Sequence, residues 1–516
     1  MTMNSFSDYT TLARVYARLR TYRLNAIQPK IAQTATLLRL LRRASQTAFG
    51  QAHRFEHIDS FHTYQRKVPI REYDAFWSEW WQRRYPDLVD VCWPGKIPFF
   101  TMTSGTTTGR SKYIPYTFEM RRAAVRGFVD LLCFHLTNRP NSRLFGGAAL
   151  GLTGPVALSS ASKSVDAAAV SAITATALPG WLRHRVLPPK DLANLEDWHV
   201  KIRRLVPLSL DSDVRMMGGS PNWLLIFLAE VAKKHSTKNG QLADWYPNLE
   251  LIVHGGVNFA PYRDRFRTLL DGSHAETREM YSASEGVFAY ADRGDGDGLR
   301  LDLDGRIFYE FVLPEQLENA NPDRRWIGNV ECGVDYALLI TTAAGLWSYV
   351  VGDVVRFVDL LPPRLIVSGR VKQGLSIFGE HLLEVELAEA VAHVAKAENL
   401  TILDYTVGPL QGTAGGRHVF LLEPDKPVAD GLALRMANGI DAWLCDLNKD
   451  YEELRQEGAV GVPEVLLIPP GGFARWMKLR RDLGGQNKLP RIVTDSDLFA
   501  DIRHVALDGK GVSNDQ

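Results

Sequence analysis

Between Thr103 and Lys112 the chain reads Thr-Ser-Gly-Thr-Thr-Thr-Gly-Arg-Ser-Lys, set between a strand-like run and a proline-marked turn. Two glycines let backbone N–H groups approach phosphate oxygens, hydroxyls add neutral donors, and a lysine supplies a compact positive charge. That composition suits a polyphosphate, with Thr103, Ser104, Gly105, Thr106, Thr107 and Lys112 as the candidate donors. It is not the common P-loop, in which lysine directly follows the second glycine; here Lys112 lies three residues beyond Gly109, which disfavours a kinase or GTPase. An ordinary Ser/Thr/Gly turn has the same composition and stands as the plain alternative.

Three further segments carry chemistry. Tyr281-Ser282-Ala283-Ser284-Glu285 gathers an aromatic ring, hydroxyls and one carboxylate, as a nucleotide site with a magnesium ligand requires. Tyr349-Val350-Val351-Gly352-Asp353 ends a strand-like run in a carboxylate suited to two ribose hydroxyls, although a strand-end aspartate is commonly a turn residue. Gly369-Arg370, ten residues before Gly379-Glu380, falls where the texture of the chain changes.

The elements that must position these groups read as an α/β body. Helices over 10–45, broken near Pro29, lead into an aromatic-rich stretch with Trp77, Trp80 and Trp81. From Ile97 strand and helix signals alternate. Leu249–Val253 is a buried-strand run closed by His254-Gly255-Gly256, and Ile307–Val312 is another strand. Gly146–Gly151 has the wrong spacing for a dinucleotide fingerprint and reads as strand and loop. Ser220-Pro221 opens a helix, with serine as N-cap and proline at the first position. After residue 370 comes a helix (Leu383 to about Ala397), strands near 403–407 and 419–422, a long helical stretch from about Leu432 to Arg455, and a strand near 465–468. We therefore expect a large N-terminal domain over 1–370 with mixed sheets and helices, and a smaller α+β domain over 371–516.

The bulk properties remove several classes. With 60 basic and 59 acidic residues no global field favours nucleic acid, and four cysteines without a CxxC pair indicate neither zinc nor a disulfide framework. No apolar leader and no span of about 20 apolar residues is apparent, so a cytoplasmic protein without a membrane span is expected. One local bias remains: from Tyr9 to Phe55 there is no acidic residue among Arg14, Arg18, Arg20, Arg23, Lys30, Arg39, Arg42, Arg43 and Arg54. With Leu37, Leu38 and Leu41 at helical spacing this reads as an amphipathic surface helix for anionic lipid, or as a docked helix with a solvated basic face. Trp223, Phe227, Tyr116, Phe118 and Phe134 are pocket walls or, as aromatic residues at such spacings commonly are, core.

Taken in order, the motifs resemble those of the auxin-responsive acyl-acid amido synthetases, the Gretchen Hagen family of the adenylate-forming enzymes. The family's Ser/Thr-Ser-Gly-Thr loop looks like 103–112, its Tyr-x-x-Ser-Glu segment like 281–285 and its Tyr-x-x-Gly-Asp segment like 349–353. Thr47–Gly50, Val68-Pro69-Ile70, Asn248–Phe259 and Gln486–Arg491 fit the same likeness, while Val350 and Ala283 depart from it. The resemblance implies adenylation of a carboxylic acid by ATP with Mg2+, then attack of an amino acid or other amine on the acyl-AMP. It further implies phosphate contacts from Ser104, Thr106, Thr107 and Lys112, magnesium at Glu285, and Tyr281 with Gly255-Gly256 around the base and the reacting centre. Asp353 is implied on the ribose, Arg370 to Lys372 as the hinge of a rotating small domain, and Lys488 as the lysine it carries in. Transfer to the thiol of coenzyme A or a carrier protein, and a nucleotide-binding sensor without turnover, remain open alternatives. Neither the acid, the amine nor the oligomeric state is fixed by the sequence.

Overall fold

Pro29 separates helix α1 (Thr10–Asn25) from α2 (Pro29–Ala44), standing in the first helical turn where its missing N–H has no helical partner to lose. Leu37, Leu40, Leu41 and Ala44 form the buried side of α2, so its leucines face the core and the docked reading holds for this helix. The computed structural model describes residues 7–102, 112–152, 159–162, 165–177, 183–195, 198–235, 240–257, 259–294, 296–371, 382–412, 415–426, 428, 431–458, 460–479 and 489–508. They separate into two units. The first runs to Ile366 apart from a short segment ending at Thr268; the second takes that segment, from Phe259, and the chain from Val367 onward.

The first unit carries a twelve-stranded sheet. Val186–Leu187, Ala148–Leu152, Val214–Gly219, Leu251–His254 and Glu276–Ala283 are neighbours in that order and run parallel. Leu251–His254 is buried throughout, as strands covered on both faces are. Beyond Glu276–Ala283 the order continues through Gly286–Tyr290, Leu299–Leu301, Pro363–Arg370, Tyr349–Leu360, Asp335–Thr342, Ile307–Val312 and Arg325–Trp326, with predominantly antiparallel pairing. A separate four-stranded sheet holds β1 (Phe99–Met102) and β2 (Tyr113–Tyr116). The proline expected to mark a turn, Pro115, lies within β2; that strand is at the sheet edge, where a residue without an N–H is tolerated. Ser220 stands at the N-cap of Pro221–Lys234 as expected, yet its hydroxyl donates to Asn222 Oδ1 instead of accepting from the helix backbone.

The second unit is built on three strands in the order Ile402–Gly412, Gly415–Pro424, Glu464–Leu467. Alternation along the middle strand puts Phe420 and Leu422 into a core under the helices Glu384–Ala397 and Leu432–Leu447. Val419 and Leu421 face a second core with Phe473, Trp476, Ile502 and Val505. The expected single helix to Arg455 is two helices, because Asn448 ends the first and its side chain caps the second by accepting from Tyr451 N at 2.9 Å. Helices Gly472–Leu479 and Ser496–Asp508, unassigned from the sequence, cover the second face.

Candidate active site

In parallel sheets ligands bind beyond the carboxyl ends of the strands, and the register brings two such ends level, Gly219 with His254, while the next strand, paired with His254 at Glu279, runs on to Ala283. Motif residues follow two of these strands, Gly255-Gly256 after His254 and Ser284-Glu285 after Ala283. A Cβ on Gly255 would lie 2.2 Å from Met280 O, so only glycine lets this strand leave so close to its neighbour. Gly256 follows with φ +82°, a left-handed turn that glycine adopts without strain. The neighbouring strand Glu276–Ala283 carries Tyr281 at its carboxyl end, and Ser284 and Glu285 continue from it.

β1 and β2, the strands before and after Thr103–Ser111 in the chain, reach this edge. Met102 pairs with Tyr113, and the buried Thr101 hydroxyl donates to Ser284 O at 2.7 Å. Lys112 Nζ lies 5.3 Å from the centre of the Tyr73 ring. The Tyr73 hydroxyl accepts from Tyr113 N at 3.0 Å, and burial pushes its pKa up to about 12, so it stays neutral and holds the lysine by its ring face.

Asp353 reaches the same edge through a defect in pairing. Val350 pairs with Leu339 and Val354 with Ala337, so Val351, Gly352 and Asp353 together oppose Leu338, and Gly352 takes φ +93°. Such a bulge re-aims side chains. Asp353, 5% exposed, accepts the Tyr281 hydroxyl on Oδ2 at 2.6 Å, and the Tyr281 ring packs edge-on against Phe288. A second link joins the same two motifs. Tyr349 is buried and its hydroxyl is hydrogen-bonded to Glu285; burial first, and then that carboxylate, hold the phenol far above its ordinary pKa, so it remains the donor.

Immediately before Tyr349 lies a network whose function the sequence reading missed. Arg324 donates to Glu310 Oε1 at 2.6 and 3.0 Å, Ser348 Oγ donates to Glu310 Oε2 at 2.7 Å, and the Tyr64 hydroxyl meets Ser348 at 3.0 Å and Thr341 at 2.6 Å. These groups come from five places in the chain, and each is unremarkable in its own segment. They fix the start of the strand that presents Asp353.

In the second unit Arg370 is exposed at the end of Pro363–Arg370, and a Cβ on Gly369 would sit 3.3 Å from Glu384 N. Arg491, buried, donates to the Asp404 carboxylate, to Tyr405 O at 2.8 Å and to the Tyr262 hydroxyl at 2.5 Å. Burial alone would lower its pKa; the Asp404 carboxylate beside it reverses this and raises it well above the ordinary value. Tyr262 belongs to the short segment of the second unit that follows Gly255-Gly256 in the chain.

The structure thus gathers Gly255, Gly256, Tyr281, Ser284, Glu285, Asp353 and Lys112 in the first unit. Thr103, Ser104, Gly105, Thr106, Thr107 and Lys488 lie outside the described residues. Phe227, Tyr116 and Phe134 are buried, Phe134 among the residues under α1, which favours the core reading for them. Among the described residues no group of three acidic, histidine or cysteine side chains converges. A single buried carboxylate such as Glu285 fits magnesium that takes its other ligands from phosphates and water.

The chain matches the models of the GH3 family N-terminal domain over residues 19–177, central domain over 301–370 and C-terminal domain over 385–497. It is 28% identical over 209 residues to a jasmonoyl–L-amino acid synthetase of Oryza sativa subsp. japonica, covering 37% of this chain and 36% of that one. It is 27% identical over 295 residues to an indole-3-acetic acid-amido synthetase of Oryza sativa subsp. indica, covering 52% and 48%. These alignments span about a third to a half of the length of the relatives. In fold the chain is similar to a GH3.15 acyl acid amido synthetase (TM-score 0.77, 16% identity, 99% of this chain and 98% of the other). It is also similar to a 2-hydroxyisobutyryl-CoA ligase in its postadenylation state (TM-score 0.62, 14% identity, 92% and 90%).

Proposed function

Since the chain belongs to the GH3 family, we propose that it is an ATP-dependent acyl-acid amido synthetase, a ligase that adenylates a carboxylic acid and passes the acyl group to an amino acid or other amine. The observation that carries this reading is the Tyr281–Asp353 hydrogen bond, because it joins two motifs 72 residues apart at the edge to which the Thr101–Ser284 bond ties β1, the strand that precedes the third motif in the chain.

In this reading Asp353 accepts the ribose hydroxyls, oriented by the Tyr281 hydroxyl, since a carboxylate has acceptor sites for several donors. Lys112 leaves the Tyr73 ring for the phosphates, with Thr103, Ser104, Gly105, Thr106 and Thr107 supplying hydroxyl and N–H donors. Glu285 is the residue that would hold Mg2+, which neutralises charge on the transferring phosphate. Gly255-Gly256 offers a surface without side chains to the base and the reacting carboxylate. The first step needs charge neutralisation and in-line positioning and no covalent nucleophile, which is what this set of residues supplies. Arg370 marks the hinge and Lys488 is brought in for adenylation. We place the reaction in the cytoplasm, consistent with Cys92, Cys133, Cys332 and Cys445 all being free thiols.

Acid-dependent exchange of labelled pyrophosphate into ATP, screened over aromatic and aliphatic carboxylic acids, tests the adenylation half. Exchange that needs both an acid and magnesium is expected. No exchange with any acid would leave a nucleotide-binding sensor.

A further inference from the structure

We propose that the outward face of α1 is a docking surface for an anionic lipid bilayer. The helix has two opposed non-polar sides. Ala17 and Leu24 pack inward with Leu131, Leu132, Phe134 and Leu136 of Phe118–Asn138, and Thr10 and Thr21 are buried on the same side. On the other side Leu12, Val15, Tyr16, Leu19 and Tyr22 are 73, 60, 54, 59 and 76% exposed. Their spacing of three and four residues places them in one continuous stripe. A single exposed leucine needs no explanation, whereas a stripe at helical period is a surface made to be covered.

The charge around the stripe selects what covers it. There is no acidic residue from Tyr9 to Phe55, and Arg18, Arg23 and Lys30 are exposed on α1 and at the start of α2. A groove of about 340 Å³ opens beside the stripe, lined by Tyr16, Leu19, Arg20, Arg23 and Arg126. Arg20 is held by Asp130 and Asp304 at 2.7 and 2.8 Å and Arg126 pairs with Asp304 at 3.4 Å, while Arg23 is exposed on the same groove. A second copy of the chain would set these arginines against their own counterparts across an apolar contact, a juxtaposition that disfavours self-association. A leaflet rich in anionic phosphate headgroups complements them, with the leucines at the acyl boundary and Tyr16 and Tyr22 at headgroup depth. Among the described residues no helix is long and apolar enough to cross a membrane, so the association is peripheral.

Flotation of the full chain with vesicles tests this directly. The wild type is expected to float with phosphatidylcholine vesicles containing phosphatidylglycerol, to bind pure phosphatidylcholine vesicles about tenfold less, and to be released by high salt in part. Leu12→Glu/Leu19→Glu should lose the binding about tenfold while its thermal unfolding stays that of the wild type, because both positions are outside the core. Arg23→Glu should abolish the preference for anionic vesicles. Failure of the wild type to float with anionic vesicles overturns the proposal, as does unchanged flotation of the Leu12→Glu/Leu19→Glu variant. A dimer in sedimentation that this variant dissolves would assign the stripe to a second copy instead.

Discussion

Glu310 and Asp353 are both buried carboxylates bound at the strand Tyr349–Leu360, one at its start through Ser348 and one at its bulge, and they are held differently. Glu310 faces a cation: the Arg324 guanidinium takes one oxygen and the Ser348 hydroxyl the other. For Asp353 the donor on Oδ2 is a neutral phenol, and the bulge that aims it interrupts the ladder on which the strand depends. In the proposed function the carboxylate bound by a buried cation serves the fold, and the one that accepts from the Tyr281 hydroxyl serves the nucleotide. The same division separates Arg491–Asp404 in the second unit from Glu285–Tyr349 in the first.

The comparison breaks most visibly at Glu310. Glu310→Gln leaves the Arg324 guanidinium buried opposite a neutral amide, so a loss of about 3–5 kcal/mol in chemical unfolding is expected, because an unpaired buried charge is costly. A variant that unfolds within about 1 kcal/mol of the wild type would mean that the network is not closed. Asp353→Ala should do the reverse, weakening ATP binding roughly 10- to 150-fold, as loss of charged hydrogen bonds worth about 1.5–3 kcal/mol does, with little change in unfolding. Unchanged nucleotide affinity in calorimetry removes Asp353 from the site. Tyr281→Phe deletes only the orienting phenol and should weaken ATP about 2- to 10-fold; a larger effect than that of Asp353→Ala would invert the assigned roles.

A third carboxylate sharpens the comparison through pH. Asp302 is buried and accepts Asp304 N at 3.0 Å; burial, and then the nearby Asp130 charge, raise its pKa from the ordinary carboxylate range to about 7. A carboxyl that binds its proton more tightly when folded adds stability that is complete below the unfolded pKa and is lost as pH rises through the folded one. Arg20, held by Asp130 and Asp304, moderates the shift. Wild type should therefore lose stability between about pH 4 and pH 7, and Asp302→Asn should flatten that slope. Parallel stability profiles for the two proteins would remove Asp302 as the source.

How much of this was readable from the sequence follows from how local each feature is. Leu251–His254 and Ile307–Val312 announce themselves by apolar runs, and Pro29 by its missing N–H, so the α/β body and the helix break were accessible. The motifs named Tyr281, Glu285 and Asp353 because each carries its chemistry within five residues. What joins them was not accessible, since the bulge at Gly352 depends on pairing with Leu338 and the Glu310 network on residues up to 284 apart. The outward stripe on α1 was hidden for a related reason. Apolar residues occur on both sides of this helix, and only the packed structure shows which side is spent on the core; the sequence drew attention to the leucines of α2, which are buried. Arg491 was noticed as part of a motif, but its grip on Tyr262 requires the fold of the second unit.

The proposed chemistry turns finally on the acceptor. An amino acid presents its own carboxylate and needs a cationic or N–H-rich patch at a site that excludes water, while coenzyme A needs a groove with several basic side chains for its phosphates. The most direct measurement is a single reaction containing ATP, magnesium, an acid that supports pyrophosphate exchange, the common amino acids and coenzyme A, with products identified by mass spectrometry. An amide of one or a few amino acids, formed with stoichiometric AMP, is expected. A coenzyme A thioester at comparable rate, with no amide from any amino acid, would contradict the proposed function.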